Sequence, residues 1–155
     1  MKNATQSLKM LLLLTITLVV FACGQSAEEK AKLDKIRNNA EASTDPMKNK
    51  GIGPVKSLTL AEIDQALVEE GKELFDASCT ACHKEEKRFI GPSPQGIMTR
   101  RSPEWIMNMI LNPEEMVAKD PIAKQLLIDF NGAPMANQNL TEDQARKILE
   151  YFRTL

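Results

Sequence analysis

Residues 78–83 read SCTACH, and His83 is the only histidine in the chain. Two thiols three positions apart, with an imidazole directly behind them, form a short and specific arrangement. On one helical turn, Cys79 and Cys82 can add to the two vinyl groups of a single porphyrin. His83 then projects toward a central metal from the same face. C-x-x-C-H is the attachment pattern of a covalently bound c-type haem. The competing chemistries fit less well. A thioredoxin-like C-x-x-C belongs beside strands, and nothing here alternates with period two. A structural zinc centre takes four Cys or His ligands, more than Cys79, Cys82 and His83 supply. A plain disulfide leaves the lone histidine without a role.

The same residue count constrains the other side of the metal. With no second histidine and no second attachment motif, the chain carries one haem. Its distal position falls to a methionine, to a weaker donor such as lysine, or to nothing. Beyond the first 22 residues the methionines are Met47, Met98, Met107, Met109, Met116 and Met135. Met47 lies in a polar stretch and Met116 between helices. Met107 and Met109 share a helical pattern with Trp105, Ile106, Ile110 and Leu111, where methionine commonly fills a core. Met98 follows a proline-rich loop. Met135 sits in GAPMAN, a short irregular loop ahead of the final helix, from which a thioether can be laid over a haem face. Met135 is the expected ligand and Met98 the alternative.

Helices must position these residues. Thr59 and Glu62 have the spacing of a capping box, with Leu58 and Ile63 as a hydrophobic staple. Ile63, Ala66, Leu67, Leu74 and Phe75 then recur at helical spacing, which predicts a helix to about Ala77 that delivers Cys79. KEEKRFIGPSPQGI reads as a loop. Ser102-Pro103 starts a second helix, PEWIMNMIL, which stops before Asn112-Pro113. Asp120-Pro121 repeats the start signal, and that helix ends at Asn131-Gly132, a left-handed cap. Thr141 and Gln144 make another capping box for the last helix. The expected domain, residues 58–155, is all-α with four or five helices.

The first residues belong to something else. Lys2 and Lys9 precede an apolar run, Met10–Val20, too short for a membrane span of about 20 residues. Residues 1–22 read as a secretory signal peptide. The sequence VFACG resembles a bacterial lipobox, so Cys23 is expected to be lipidated, and two acyl chains suffice for stable anchoring. Residues 24–57 are polar, lack aromatics and carry Pro46, Gly51, Gly53 and Pro54, a composition poor in buriable surface. They read as a flexible tether with an end-to-end distance of roughly 30 to 35 Å. Export places Cys79 and Cys82 in an oxidising compartment. Without Lys2 and Lys9, 18 basic groups face 21 acidic ones; no basic patch points to nucleic acid.

Over Leu58–Leu155 the chain resembles a small single-haem cytochrome c of the class I type. CTACH near the domain's start, Gly91-Pro92 in the next loop, and Met135 ahead of a C-terminal helix with aromatics match in order. The resemblance implies the cytochrome c-like fold around one covalent haem c, with His83 and Met135 as axial ligands. It implies that the Pro92 carbonyl holds the other ring nitrogen of His83, fixing its orientation. It also implies that the first and last helices cross at Gly71, Phe75, Tyr151 and Phe152. Arg100, Arg101 and Trp105 are candidates to serve haem propionates. Ser93-Pro94, where the family often has a leucine-containing stretch, and the helix from Pro121 are departures. The implied function is that of an electron carrier, not an enzyme, with no small-molecule substrate. It would shuttle single electrons between respiratory donors and an oxidase or exported reductase, from a lipid-anchored position on a periplasm-facing membrane surface. Its redox partners would dock transiently over small interfaces. Two other readings stand beside it: a haem c subunit of a larger oxidoreductase, and a haem enzyme or sensor with an open distal site.

Overall fold

The computed structural model describes residues 27–155. The expected signal peptide and Cys23 lie outside these residues. The described residues divide into two units after Asn38, and the site lies in the second, Asn39–Leu155. Helix α1 spans Ala27–Thr44. The others are α2 Gln65–Ser78, α3 Pro103–Leu111, α4 Pro113–Lys119, α5 Pro121–Asp129 and α6 Glu142–Phe152, with a 3-10 turn at Ile97–Thr99. The described residues contain no strand, as the sequence implied.

Local signals set most helix ends. Ser102 caps α3 by accepting the Trp105 amide at 3.1 Å, and Asp120 caps α5 by accepting that of Ala123 at 2.8 Å. Each is followed by proline, whose fixed φ suits the first helical position. Thr141 and Gln144 form the expected capping box of α6. Asn131 and Gly132 close the chain beyond α5 with φ of 59° and 74°. The Asn112-Pro113 stop is also a start, because proline that ends one helix opens the next, α4.

The start of α2 differs from the expectation. Asp64, not Thr59, is the N-cap, and its carboxylate accepts from Ala66 at 2.9 Å and Leu67 at 3.4 Å. Asp64 stands directly before the amphipathic run and outcompetes a box five residues upstream. Ile63, expected as half of a staple, is instead exposed.

The core forms where α2 crosses α6. Gly71 is buried at the crossing, and a Cβ there would stand 1.9 Å from the Lys147 carbonyl oxygen. Only hydrogen lets the backbones come so close. One turn on, Phe75 packs against Tyr151 and Phe152 with ring centroids 5.6 and 5.7 Å apart. Each such buried side chain contributes about 1.5–3 kcal/mol by leaving water.

The boundary expected at Leu58 moves toward the N-terminus. Residues 45–57, read as part of a tether, lie against α3 and α4 as a strap. The reason is polar. Along α3, Glu104 and Asn108 repeat at i and i+4, with Asn112 next on the same stripe, and the strap satisfies all three. Asn108 donates to the Lys50 and Val55 carbonyls at 2.8 and 2.9 Å and accepts the Val55 amide at 3.0 Å. Asn112 donates to the Ile52 carbonyl at 3.3 Å. Glu104 accepts from the Leu58 amide at 3.2 Å and pairs with Lys50 at 3.1 Å. The Ile52 amide points at the Met116 sulfur, 2.9 Å away. Composition alone underrates such a segment, since much of the binding is done by its backbone.

Acid is expected to loosen this strap. Burial raises the Glu104 pKa, but its own amide, the Lys50 ammonium and the Leu58 amide together lower it below the ordinary 4.5. A carboxylate depressed in the fold stabilises above its unfolded pKa, and that stability goes as pH falls through the folded value. Cleavage of the strap by an acid-active protease should therefore accelerate as pH falls through a value below the ordinary 4.5, and Glu104→Gln should flatten that response.

Candidate functional site

Helix α2 ends at Ser78, and the turn that follows presents the attachment motif. The amides of Cys82 and His83 both donate to the Cys79 carbonyl, at 3.0 and 2.9 Å, which keeps all three side chains on one short coil. The Gly91 amide then ties the returning loop to the Cys82 carbonyl at 2.8 Å. The His83 Nδ1 lies 2.7 Å from the Pro92 carbonyl oxygen. A carbonyl only accepts, so Nδ1 carries a proton, and in the neutral ring Nε2 carries the lone pair. Gly91 makes room for this, because a Cβ there would stand 2.4 Å from His83 Cε1.

The loop after His83 is fastened through Glu85. Its carboxylate accepts from the Tyr151 hydroxyl and its backbone carbonyl from Ser93. Burial first, and then this carboxylate, push the Tyr151 pKa above its usual value, so the phenol stays a donor. Arg88 stacks over Phe130 at 4.1 Å and donates to the Asp129 carbonyl, holding the loop to the end of α5. Glu85 and Arg88 were not singled out in the sequence.

Cys79, Cys82, His83, Pro92 and Met135 all line one cavity of about 230 Å³. Its remaining wall is mainly apolar, with Phe75, Ile106, Leu126 and Phe152 among the contributors. Met109, packed against the core as expected, lines it too; Met98 does not. Met116 and Met107 are buried in the core, 0 % and 3 % exposed. Arg100 and Arg101 reach the cavity, but Arg100 is engaged by the Gln95 and Ser93 carbonyls at 2.7 and 3.0 Å. Arg101 stacks on Trp105 at 5.3 Å. The Trp105 indole N–H is committed to Asp120 at 3.1 Å, so it has no proton to offer a propionate.

The donor set discriminates among chemistries. Burial, helped by the neighbouring Cys82, pushes the unattached Cys79 thiol up to about 11. A dithiol redox catalyst needs a depressed thiol, and this one is raised. Among the described residues no group of three or more His, Cys, Asp or Glu is arranged to hold a bare metal ion. What the cavity suits is one flat apolar group, linked through two thiols and faced by an imidazole lone pair and a thioether. The residues present fit a haem.

Such a fold and pocket define a haem-carrying electron-transfer domain. The family model of cytochrome c matches residues 68–155. A cytochrome c from Rhodothermus marinus is 48 % identical in sequence, with a TM-score of 0.64, over 66 % of this chain and 88 % of that one. An engineered form of that protein bound to a carbene intermediate is 47 % identical, with a TM-score of 0.61, over 66 % of this chain and 88 % of that one. A cytochrome c domain from Pseudomonas putida is 27 % identical, with a TM-score of 0.51, over 54 % of this chain and 85 % of that one. No curated protein matches significantly. The chain belongs to the cytochrome c family. Membership entails a covalently bound haem c, consistent with Cys79 and Cys82 in their motif, and haem-based electron transfer. No helix of the described residues is long and apolar enough to cross a membrane.

Proposed function

We propose that the protein is a lipid-anchored electron carrier whose single haem iron is held by His83 and Met135. The haem, when bound, supplies one-electron chemistry; the chain supplies its ligands and its dry surroundings. His83, with its proton on Nδ1, offers the Nε2 lone pair, and the Pro92 carbonyl keeps the ring in that tautomer. Met135, on the wall of the same cavity, would supply the second ligand and leave no position for a substrate, and a thioether in an apolar wall would favour the reduced state. Cys23, lipidated at the mature N-terminus, keeps the domain beside a periplasm-facing membrane. There it passes electrons from a quinol-oxidising donor to an oxidase or exported reductase through brief encounters.

The observation that supports the ligand pair is that His83, fixed by Pro92, and Met135 border the same cavity, while Met98 does not. The test is a spectrum of protein matured in a host with a cytochrome c assembly system, its mass measured alongside. Met135→Ala should lose the weak near-infrared sulfur-to-iron absorption of the oxidised form and gain rapid carbon monoxide binding when reduced. Met98→Ala and Met109→Leu should keep the band and exclude the gas. A band that survives in Met135→Ala and vanishes in Met109→Leu overturns the assignment. A colourless protein at the mass of the bare chain overturns the reading altogether.

A further inference from the structure

Asp120 is 2 % exposed and sits between the strap and the cavity. Oδ1 accepts from the Trp105 indole at 3.1 Å and from the Ala123 amide at 2.8 Å. Trp105 and Ala123 both line the cavity, and Ala123 lies in the first turn of α5, which supplies Leu126 and Leu127 to its wall. Oδ2 accepts from the Asn49 side-chain amide at 2.6 Å. Asn49 is buried too, 6 % exposed, and its side-chain Oδ1 accepts the Gly51 amide at 2.7 Å. One buried carboxylate therefore joins the strap to two parts of the haem wall. The need to cap α5 explains one of its bonds and leaves the other two unexplained.

We propose that Asp120 is a positioning residue through which docking of residues 45–57 sets the haem environment. With the strap seated, Asn49 holds the carboxylate in the one orientation that presents Oδ1 to the indole. With the strap released, Oδ2 loses its donor, the carboxylate is free to turn, and Trp105 loses its fixed place in the wall. Arg101, stacked on that indole and also at the cavity, moves with it. The consequence is functional, because the strap is the stretch of chain that leads toward the N-terminus. A pull or a bound partner acting there would reach the haem potential. The inference rests on haem in the cavity and on no particular distal ligand.

The polarity of the pair makes the test specific. Asn49→Ala removes the donor and keeps the Asp120 charge. Asp120→Asn can keep Oδ1 on Trp105 and Ala123 but turns an amide toward the Asn49 amide, donor against donor. The exchange Asn49→Asp with Asp120→Asn reverses the bond, and the carboxylate introduced at position 49 still accepts the Gly51 amide. All are read in the haem-loaded protein by tryptic cleavage at Lys48, Lys50 and Lys56, and by the midpoint potential. Losing a buried hydrogen bond to a charged group should speed cleavage by about tenfold or more in either single variant, and both should shift the potential. The exchange should return cleavage to the wild-type rate and move the potential back. Trp105→Phe should shift the potential while the strap stays protected. A strap loosened in Asn49→Ala with the potential unmoved, or an exchange that restores neither readout, overturns the proposal.

Discussion

Gly71→Ala is expected to lower stability by about 2–4 kcal/mol, although alanine is the better helix former. Alanine in a helix interior gains about 1 kcal/mol over glycine. Against that stands a new Cβ 1.9 Å from the Lys147 carbonyl oxygen and 2.5 Å from its carbon. Both are backbone atoms of α6, so no rotamer change relieves the contact and the helices must part. Parting them opens the ring contacts of Phe75 with Tyr151 and Phe152, and a gap of 0.5–1 Å already forfeits a quarter to a half of each contact's dispersion energy. The clash outweighs the propensity. Thermal unfolding of the haem-loaded protein should fall by roughly 8–32 °C, at about 4–8 °C per kcal/mol for a domain of this size. Gly132→Ala is the counter-case. Its φ of 74° strains a side chain, but no atom lies within 4 Å, so it should cost only about 1–2 kcal/mol. Equal losses in the two variants would mean that the close crossing of α2 and α6 is not what Gly71 provides.

The parts of this molecule that were legible in the sequence are those fixed by neighbours a few residues apart. C-x-x-C-H needs only a turn, Ser102-Pro103 and Asp120-Pro121 only a helix start, and Thr141 with Gln144 only one another. The crossing glycine and its aromatics were legible for a different reason: the resemblance to class I cytochromes supplied a long-range contact that no local pattern contains. Where both kinds of signal failed, the interaction was long-range and polar. Asn49, Gly51 and Gly53 look like tether residues because they are small and hydrophilic. Yet a Cβ at Gly53 would fall 2.3 Å from the Asn108 side-chain oxygen, so there too the glycine permits close approach. The missed clue was in α3. A helix reading EWIMNMIL, mostly buried, carries Glu104 and Asn108 where neither can be left unpaired, and such a stripe calls for a backbone to lie on it. Met109 packs against the core, as its helical spacing implied, and also lines the cavity; periodicity identifies an inward face but not that this face borders a cavity as well.

The second large effect concerns the imidazole itself. Gly91→Ala should displace the His83 ring, with a stability loss of about 1–3 kcal/mol and a changed haem signature. Gly91 is not among the glycines of positive φ, so alanine suits its backbone and the effect is steric. The added Cβ would lie 2.4 Å from Cε1, 2.8 Å from Nδ1 and 3.0 Å from Nε2, under the ring as a whole. The ring cannot tilt away and keep its 2.7 Å bond to Pro92, because the acceptor belongs to the very next residue. Breaking that bond removes the partner that raises the basicity of the ligating nitrogen. A less basic ligand supports the oxidised iron less well, so the midpoint potential should rise as stability falls. Gly96→Ala separates this from ordinary glycine effects. It has φ of 65°, but its nearest atom is 3.5 Å away on the flexible Arg100 side chain, so it should lose stability with the potential unmoved. If Gly91→Ala behaves as Gly96→Ala does, the imidazole does not rest on that stretch of backbone, and the Pro92 bond is not what tunes it.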